Sequence, residues 1–171
     1  MRRLLILVAV LALLAIPAVP AAAVTDDTGV SGSITVASVA TTAPDDIAFG
    51  PFTNLGYNYA DSPNPGTVTV TPGTSGATSW TVTAASDGGY TGRMWSAGLS
   101  RLLNDQLLIS DTGSPWYNAD GSGGNGTLTY TGTANPGSLP LKAAQNIVQA
   151  DIDAGVGSYS IVIVFTATCL P

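Results

Sequence analysis

The stretch Ser158-Tyr-Ser-Ile-Val-Ile-Val-Phe-Thr-Ala-Thr168, introduced by Gly155 and Gly157 and placed just before the chain ends, has the two-residue period of a β-strand. Tyr159, Ile161, Ile163, Phe165 and Ala167 share one face, and Val162 and Val164 make the middle of the other face apolar as well. Apolar residues on both faces predict a strand inside a sheet rather than at its edge. Most of these side chains are β-branched or aromatic, which suits a pleated surface. A late strand of this kind needs partners from earlier in the chain.

Those partners are short segments separated by Gly, Pro, Asn and Asp. Gly32 to Val39 alternates, with Ile34 and Val36 facing in, and Ile47-Ala-Phe-Gly-Pro-Phe52 is a short apolar piece that Pro51 restricts to an edge or a strand end. Tyr57 to Gly66 reads as a loop because Ser-Pro-Asn-Pro-Gly repeats turn signals. Thr67-Val-Thr-Val-Thr71 and Ser79-Trp-Thr-Val-Thr83 flank a Pro-Gly-rich link, which predicts a hairpin, with Val68 and Val70 on one face and Trp80 and Val82 on another. Tyr90 to Leu103 fits a short helix or a packed irregular loop, Leu107 to Ile109 a strand, and Thr127 to Thr131 a strand with Leu128 and Tyr130 inward. Ala143 to Ile152 fits one helical turn or a strand equally well. The whole predicts an all-β fold: one immunoglobulin-like or Greek-key β-sandwich of about seven to nine short strands with little helix.

Before this domain stands a different kind of sequence. Met1-Arg-Arg, an apolar run from Leu4 to Ile16 and the small residues up to Ala23 have the order of a secretory signal peptide, and the apolar run is too short to span a bilayer. The expected organisation is a signal peptide over 1–23 and one domain over 24–171, opening with a polar leader at 24–32. Removal of the leader peptide leaves 171 − 23 = 148 residues, enough for one core. The expected location is therefore secreted, outside the cell, and the protein is not expected to be an integral membrane protein.

The five basic residues include Arg2 and Arg3, so the mature chain carries 3 − 11 = −8. That balance argues against nucleic acid and anionic membrane surfaces as partners. All the acidic residues are Asp, and His and Glu are absent, which removes the serine–histidine triad and the zincin site. No cofactor or metal is expected; Asp120-Gly-Ser-Gly-Gly-Asn-Gly126 lacks the alternating carboxylates of a calcium loop and reads as a turn. Asn125-Gly126-Thr127 fits the N-glycosylation pattern. Cys169, the single cysteine, is either a thiol tucked at the end of the last strand or one half of an interchain bridge.

One motif suggests catalysis. Leu108-Ile-Ser-Asp-Thr-Gly-Ser114 is how an aspartic protease presents a carboxylate, but that chemistry needs two, and the second copy, Asp27-Thr28-Gly29, follows no strand. A homodimer acting through Asp111-Thr112-Gly113 is the remote alternative; Asp-Thr-Gly is also a good turn sequence, and the chain is expected not to be an enzyme. Among the tryptophans, Trp80 sits in an alternating strand and is assigned to the core. Trp116 and Tyr117 sit in a loop rich in Gly and Asp, where rings can be presented to a saccharide, and they are the candidate ligand-binding residues.

The order of local features resembles the WxL-type cell-surface domain of secreted bacterial proteins. Ile47-Ala-Phe49-Gly50, Val68-Thr-Val70 followed by Trp80-Thr-Val82, the leucine-rich Leu103 to Ile109 and the terminal strand ending Phe165-Thr-Ala167 stand where that family has its aromatic-glycine strand, its first tryptophan motif, its leucine stretch and its second motif. Val82 replaces the leucine of the first motif, and Phe165 stands in the place of the second tryptophan. The resemblance implies a non-catalytic cell-wall or cell-surface domain held noncovalently, with envelope polysaccharide or other surface proteins as partners. The alternative is a structural subunit of a fibre or coat that self-associates by strand exchange.

Overall fold

The computed structural model describes residues 37–73, 76 and 79–170, the side chain of Leu170 excepted. These fall in one compact unit, Ile34–Pro171. The signal peptide and polar leader expected over 1–32, and the inward-facing Ile34 and Val36, lie outside the described residues. The fold is all-β, with every strand pair antiparallel.

Among the described residues the strands are, in chain order, β1 (Ser38–Thr42), β2 (Gly56–Asp61), β3 (Gly66–Thr71), β4 (Ser79–Ser86), β5 (Trp95–Ser96), β6 (Arg101–Leu102), β7 (Leu108–Ser110), β8 (Tyr117–Asn118), β9 (Leu128–Gly132), β10 (Gly137–Leu139), β11 (Lys142–Ile147) and β12 (Ile163–Leu170), with one short helix, α1 (Gln149–Asp153), between the last two. Three of the twelve, β5, β6 and β8, are only two residues long, so nine substantial strands carry the architecture.

One layer is a bent sheet. β11 pairs with β2 and β10 pairs with β3, and the N–H of Ser62 donates to the carbonyl of Leu141 at 2.9 Å between the two ladders. β2 and β3 thus run as a single bent strand against β10 and β11, with four residues, 62–65, facing two, 140–141, at the corner. The extra residues and the ring of Pro140 explain the kink. β1 extends this layer beside β3, and β7 and β8 extend it beside β11. The second layer is the three-stranded sheet β12-β4-β9.

Between the layers, alternate residues of each strand form the core: Val68 and Val70 from β3, Trp80, Val82 and Ala84 from β4, Leu128 and Tyr130 from β9, and Ile109 from β7. Ile47, Phe49 and Phe52, from the irregular segment after β1, pack against its rim. Trp80 is 4% exposed and donates from Nε1 to the carbonyl of Ala134 at 2.9 Å. Its ring lies so close to Gly132 and Gly137 that a Cβ on either would fall 2.7 Å and 2.1 Å from its Cζ2.

The structure corrects four expectations. β12 begins at Ile163, not Ser158, and among the described residues only β4 pairs with it, so it is an edge strand rather than an interior one. Its inward face is as expected, but Val162 and Val164 are 60% and 45% exposed, because the outer face of a two-layer sandwich meets solvent. The hairpin expected between Thr67–Thr71 and Ser79–Thr83 does not form: β3 takes β1 and β10 as neighbours and β4 takes β12 and β9. β3 and β4 thus belong to different layers, which buries Val68, Val70, Trp80 and Val82 between them. Gly56 to Asp61 is a strand, not a loop. Ala143 to Ile152 contains both candidate structures in succession, β11 and then α1.

Candidate functional site

β2 alternates exposed Tyr57, Tyr59 and Asp61 with partly buried Asn58 and Ala60, as a strand with one wet face must. Its register carries that outer face across the sheet: Tyr59 lies opposite Ala144, Ala144 opposite Leu108, and Asp61 opposite Lys142, itself opposite Ser110. Trp116 directly precedes β8, one step from the Tyr117–Ile109 pair, and so falls on the same outer face.

The rings meet there. Tyr57 and Tyr59 have centroids 6.2 Å apart at 31°, and Tyr59 and Trp116 5.8 Å apart at 47°. Both separations are within the range of favourable aromatic pairs. Tyr57 and Tyr59 are 55% and 64% exposed, and Trp116 is partly buried. Ala144 and Ser110 are fully buried although they face outward. Small residues at these two positions let the rings span β11 and β7 and lie close to the sheet.

The loop bearing Trp116 is held by main-chain contacts. The Ser110 hydroxyl donates to the carbonyl of Pro115 at 2.8 Å and accepts from the N–H of Gly113 at 2.9 Å, and Asn125 Nδ2 donates to the carbonyl of Trp116 at 2.8 Å. Asn58 Nδ2, donating to the carbonyl of Gly56 at 3.0 Å, secures the start of β2. Lys142 and Asp61 form an ion pair at one end of the strip. The result is a row of three aromatic faces with phenol hydroxyls and one ion pair at its margin, an arrangement that can stack on the apolar face of a sugar ring and hydrogen-bond its hydroxyls.

Trp116 and Tyr117, expected to act together, point opposite ways. Tyr117 pairs with the fully buried Ile109 and packs against the core, since successive residues of a strand alternate sides. Its place beside Trp116 is taken by Tyr59, from the stretch Tyr57 to Gly66 whose turn signals predict a loop. The alternation Tyr57-Asn-Tyr-Ala60 was the available signal.

Asp111-Thr112-Gly113 follows β7 as a tight bend, with Gly113 at φ 96°. The Asp111 carboxylate accepts from the N–H of Thr112 at 2.8 Å, and the Thr112 hydroxyl lies 2.9 Å from the carbonyl of Ser114. Asp27-Thr28-Gly29 lies outside the described residues. Asp111 acts electrostatically on Tyr130, whose pKa is raised well above its usual 10.0, first by burial and then by this negative charge. The phenol donates to the carbonyl of Pro140 at 2.7 Å.

Asp120 closes the Gly-rich turn. Partial burial pulls its pKa up, but hydrogen bonds from the Ser122 hydroxyl and N–H and from the Gln106 amide outweigh that and hold it below the usual 3.8. Among the described residues no group of three or more His, Cys, Asp or Glu is placed to hold a metal ion. Cys169 is free, partly buried against the core and opposite Trp80. No helix of the described residues is long and apolar enough to cross a membrane.

Compared with known protein families and with curated proteins, the chain matches none. The resemblance to the WxL-type domain therefore rests on the residues quoted for it.

Proposed function

We propose that the chain is a secreted, non-catalytic, WxL-like domain that binds envelope polysaccharide noncovalently at the cell surface, through the strip formed by Tyr57, Tyr59 and Trp116. The observation that carries this reading is the row of rings itself. Two large aromatics more than half exposed, aligned with a third on one sheet face, lose contact with water only when something flat and partly apolar covers them. Signal-peptide order in 1–23, the net negative charge and the residue-level resemblance support a location outside the cell and a neutral glycan as ligand. Stacking on neutral sugars does not depend on screened charges. Binding to protein-stripped cell envelopes, measured by co-sedimentation, is accordingly expected to persist as salt is raised and to be competed by soluble neutral oligosaccharides. Binding that vanishes at moderate salt and ignores those competitors contradicts the proposal.

A second reading, a fibre or coat subunit, is favoured by one observation. Among the described residues β12 pairs on one side only, it carries no charged residue, and Val164 within it and Val162 just before it are exposed. Concentration-dependent assembly in light scattering, abolished by Val164→Lys, distinguishes this reading from a monomeric binding domain.

A further inference from the structure

Beside the ring strip runs the Gly-rich turn Asp120 to Thr127, and one side chain joins the two. Asn125 is exposed, and its Nδ2 donates to the main-chain carbonyl of Trp116 at 2.8 Å. The buried Ser110 hydroxyl holds the neighbouring carbonyl of Pro115. The segment that presents the indole thus has one anchor inside the fold and one at the surface.

Of the chain's asparagines, only Asn125 precedes a glycine; every other one is followed by a residue with a Cβ, and two of them by Pro. Glycine has no Cβ to hinder its main-chain nitrogen as it approaches the side-chain carbonyl carbon of the residue before it. Gly126 has φ 71° and open space where a Cβ would stand. Its N–H donates to the carbonyl of Gly123 at 2.9 Å, which closes the turn. Both this bond and the Asn125 amide bond belong to a surface loop with four glycines, the kind of segment that opens locally at little cost. When it opens, the side-chain amide and the Gly126 nitrogen are free to meet.

We infer that Asn125 is a site of spontaneous deamidation that loosens Trp116. The main-chain nitrogen of Gly126 attacks Cγ of Asn125, and a C–N bond forms there as the bond from Cγ to Nδ2 breaks. The Gly126 N–H proton leaves with Nδ2 as ammonia. Water then adds to one of the two carbonyls of the cyclic imide and opens it to aspartate or isoaspartate. Water is the only co-reactant. Either product replaces the amide donor with a carboxylate, which is an acceptor only and repels the Trp116 carbonyl oxygen. Isoaspartate also lengthens the main chain by one carbon in the turn. The consequence for binding rests on the ring strip being the envelope site; the chemistry and the loosening do not.

The test is storage of the purified protein in mildly alkaline buffer, followed by intact mass, peptide mapping and hydrogen exchange. Conversion is expected at Asn125 alone, with a gain of about 1 Da per chain. It is expected to run more slowly than in a synthetic peptide of residues 120–128, because in the protein the two hydrogen bonds must open first. Asn125→Ser, which has no amide to lose, is expected to keep its mass. Asn125→Asp, which carries the carboxylate from the start, is expected to speed amide exchange over residues 113–117 and to weaken binding to protein-stripped envelopes about threefold, as the loss of one exposed hydrogen bond would. No conversion at Asn125, faster conversion at another asparagine, or unchanged exchange in Asn125→Asp overturns the inference, and faster exchange with unchanged binding overturns its consequence for the strip. If the unaltered protein does not bind envelopes at all, the ring strip fails as the envelope site, while mass and hydrogen exchange still decide whether Asn125 deamidates and frees Trp116.

Discussion

Trp80 and Trp116 occupy opposite situations in one small sandwich, and the contrast shows how context assigns a role to the same side chain. Trp80 lies between the layers, its N–H satisfied by Ala134 and its ring seated against Gly132 and Gly137, where no Cβ fits. Trp116 lies on the outer face over small residues, its ring beside Tyr59 rather than beneath another layer. The first site is closed on every side by the chain itself. The second is finished on one side only, and that open side is where the proposed ligand sits.

The contrast predicts a graded set of stability effects. Trp80→Ala empties a buried aromatic site and is expected to lose about 3–5 kcal/mol in chemical denaturation. A loss below about 1 kcal/mol would show that the site collapses without cost and would remove the distinction between the two tryptophans. Gly137→Ala forces a Cβ into the Trp80 ring and is expected to cost about 1–3 kcal/mol, with Trp80→Phe in the same background recovering part of it. Trp116→Ala, which removes an edge of an open aromatic row, is expected to cost only about 1 kcal/mol.

Two ionisable groups sharpen the same comparison of inside and outside. Buried Tyr130 has a raised pKa, so its contribution is fully present below the unfolded value of about 10 and declines as pH rises above it, while the unfolded phenol ionises and the folded one does not. Ultraviolet titration of the folded protein is expected to find Tyr130 still protonated well above pH 10, by difference from Tyr130→Phe, and that variant is expected to flatten the alkaline loss of stability. Asp120, on the surface turn, has a lowered pKa, so its contribution is present above the usual 3.8 and is lost as pH falls through the folded value. Because its hydrogen bonds are close to water, Asp120→Asn is expected to make only a slight difference to the acid limb of a stability profile.

Much of the fold was legible because local alternation decided it. Thr67 to Thr71, Ser79 to Thr83 and Thr127 to Thr131 form strands with the expected residues inward, and Trp80 is in the core as assigned. What the pattern does not encode is which strand lies beside which. β3 and β4, close in sequence, belong to different layers, and the apolar Val162 and Val164 sit at an edge because neighbour number depends on distant segments. The candidate surface was half legible for the same reason. Trp116 was identified from its loop, but Tyr117, the next residue, is turned inward by the pleat. Tyr59 joins Trp116 only through two ladders, β2 to β11 and β11 to β7, that no local window contains.

The role of the ring strip is put to its sharpest test by the double variant Tyr59→Ala, Trp116→Ala, with its affinity for protein-stripped cell envelopes measured beside its thermal melt. The proposed role of the ring strip predicts a loss of binding of about tenfold or more, since each exposed ring removed withdraws roughly 1 kcal/mol of stacking, with a melting temperature lowered by only a few degrees. Binding equal to that of the unaltered protein, in a variant that melts normally, contradicts it.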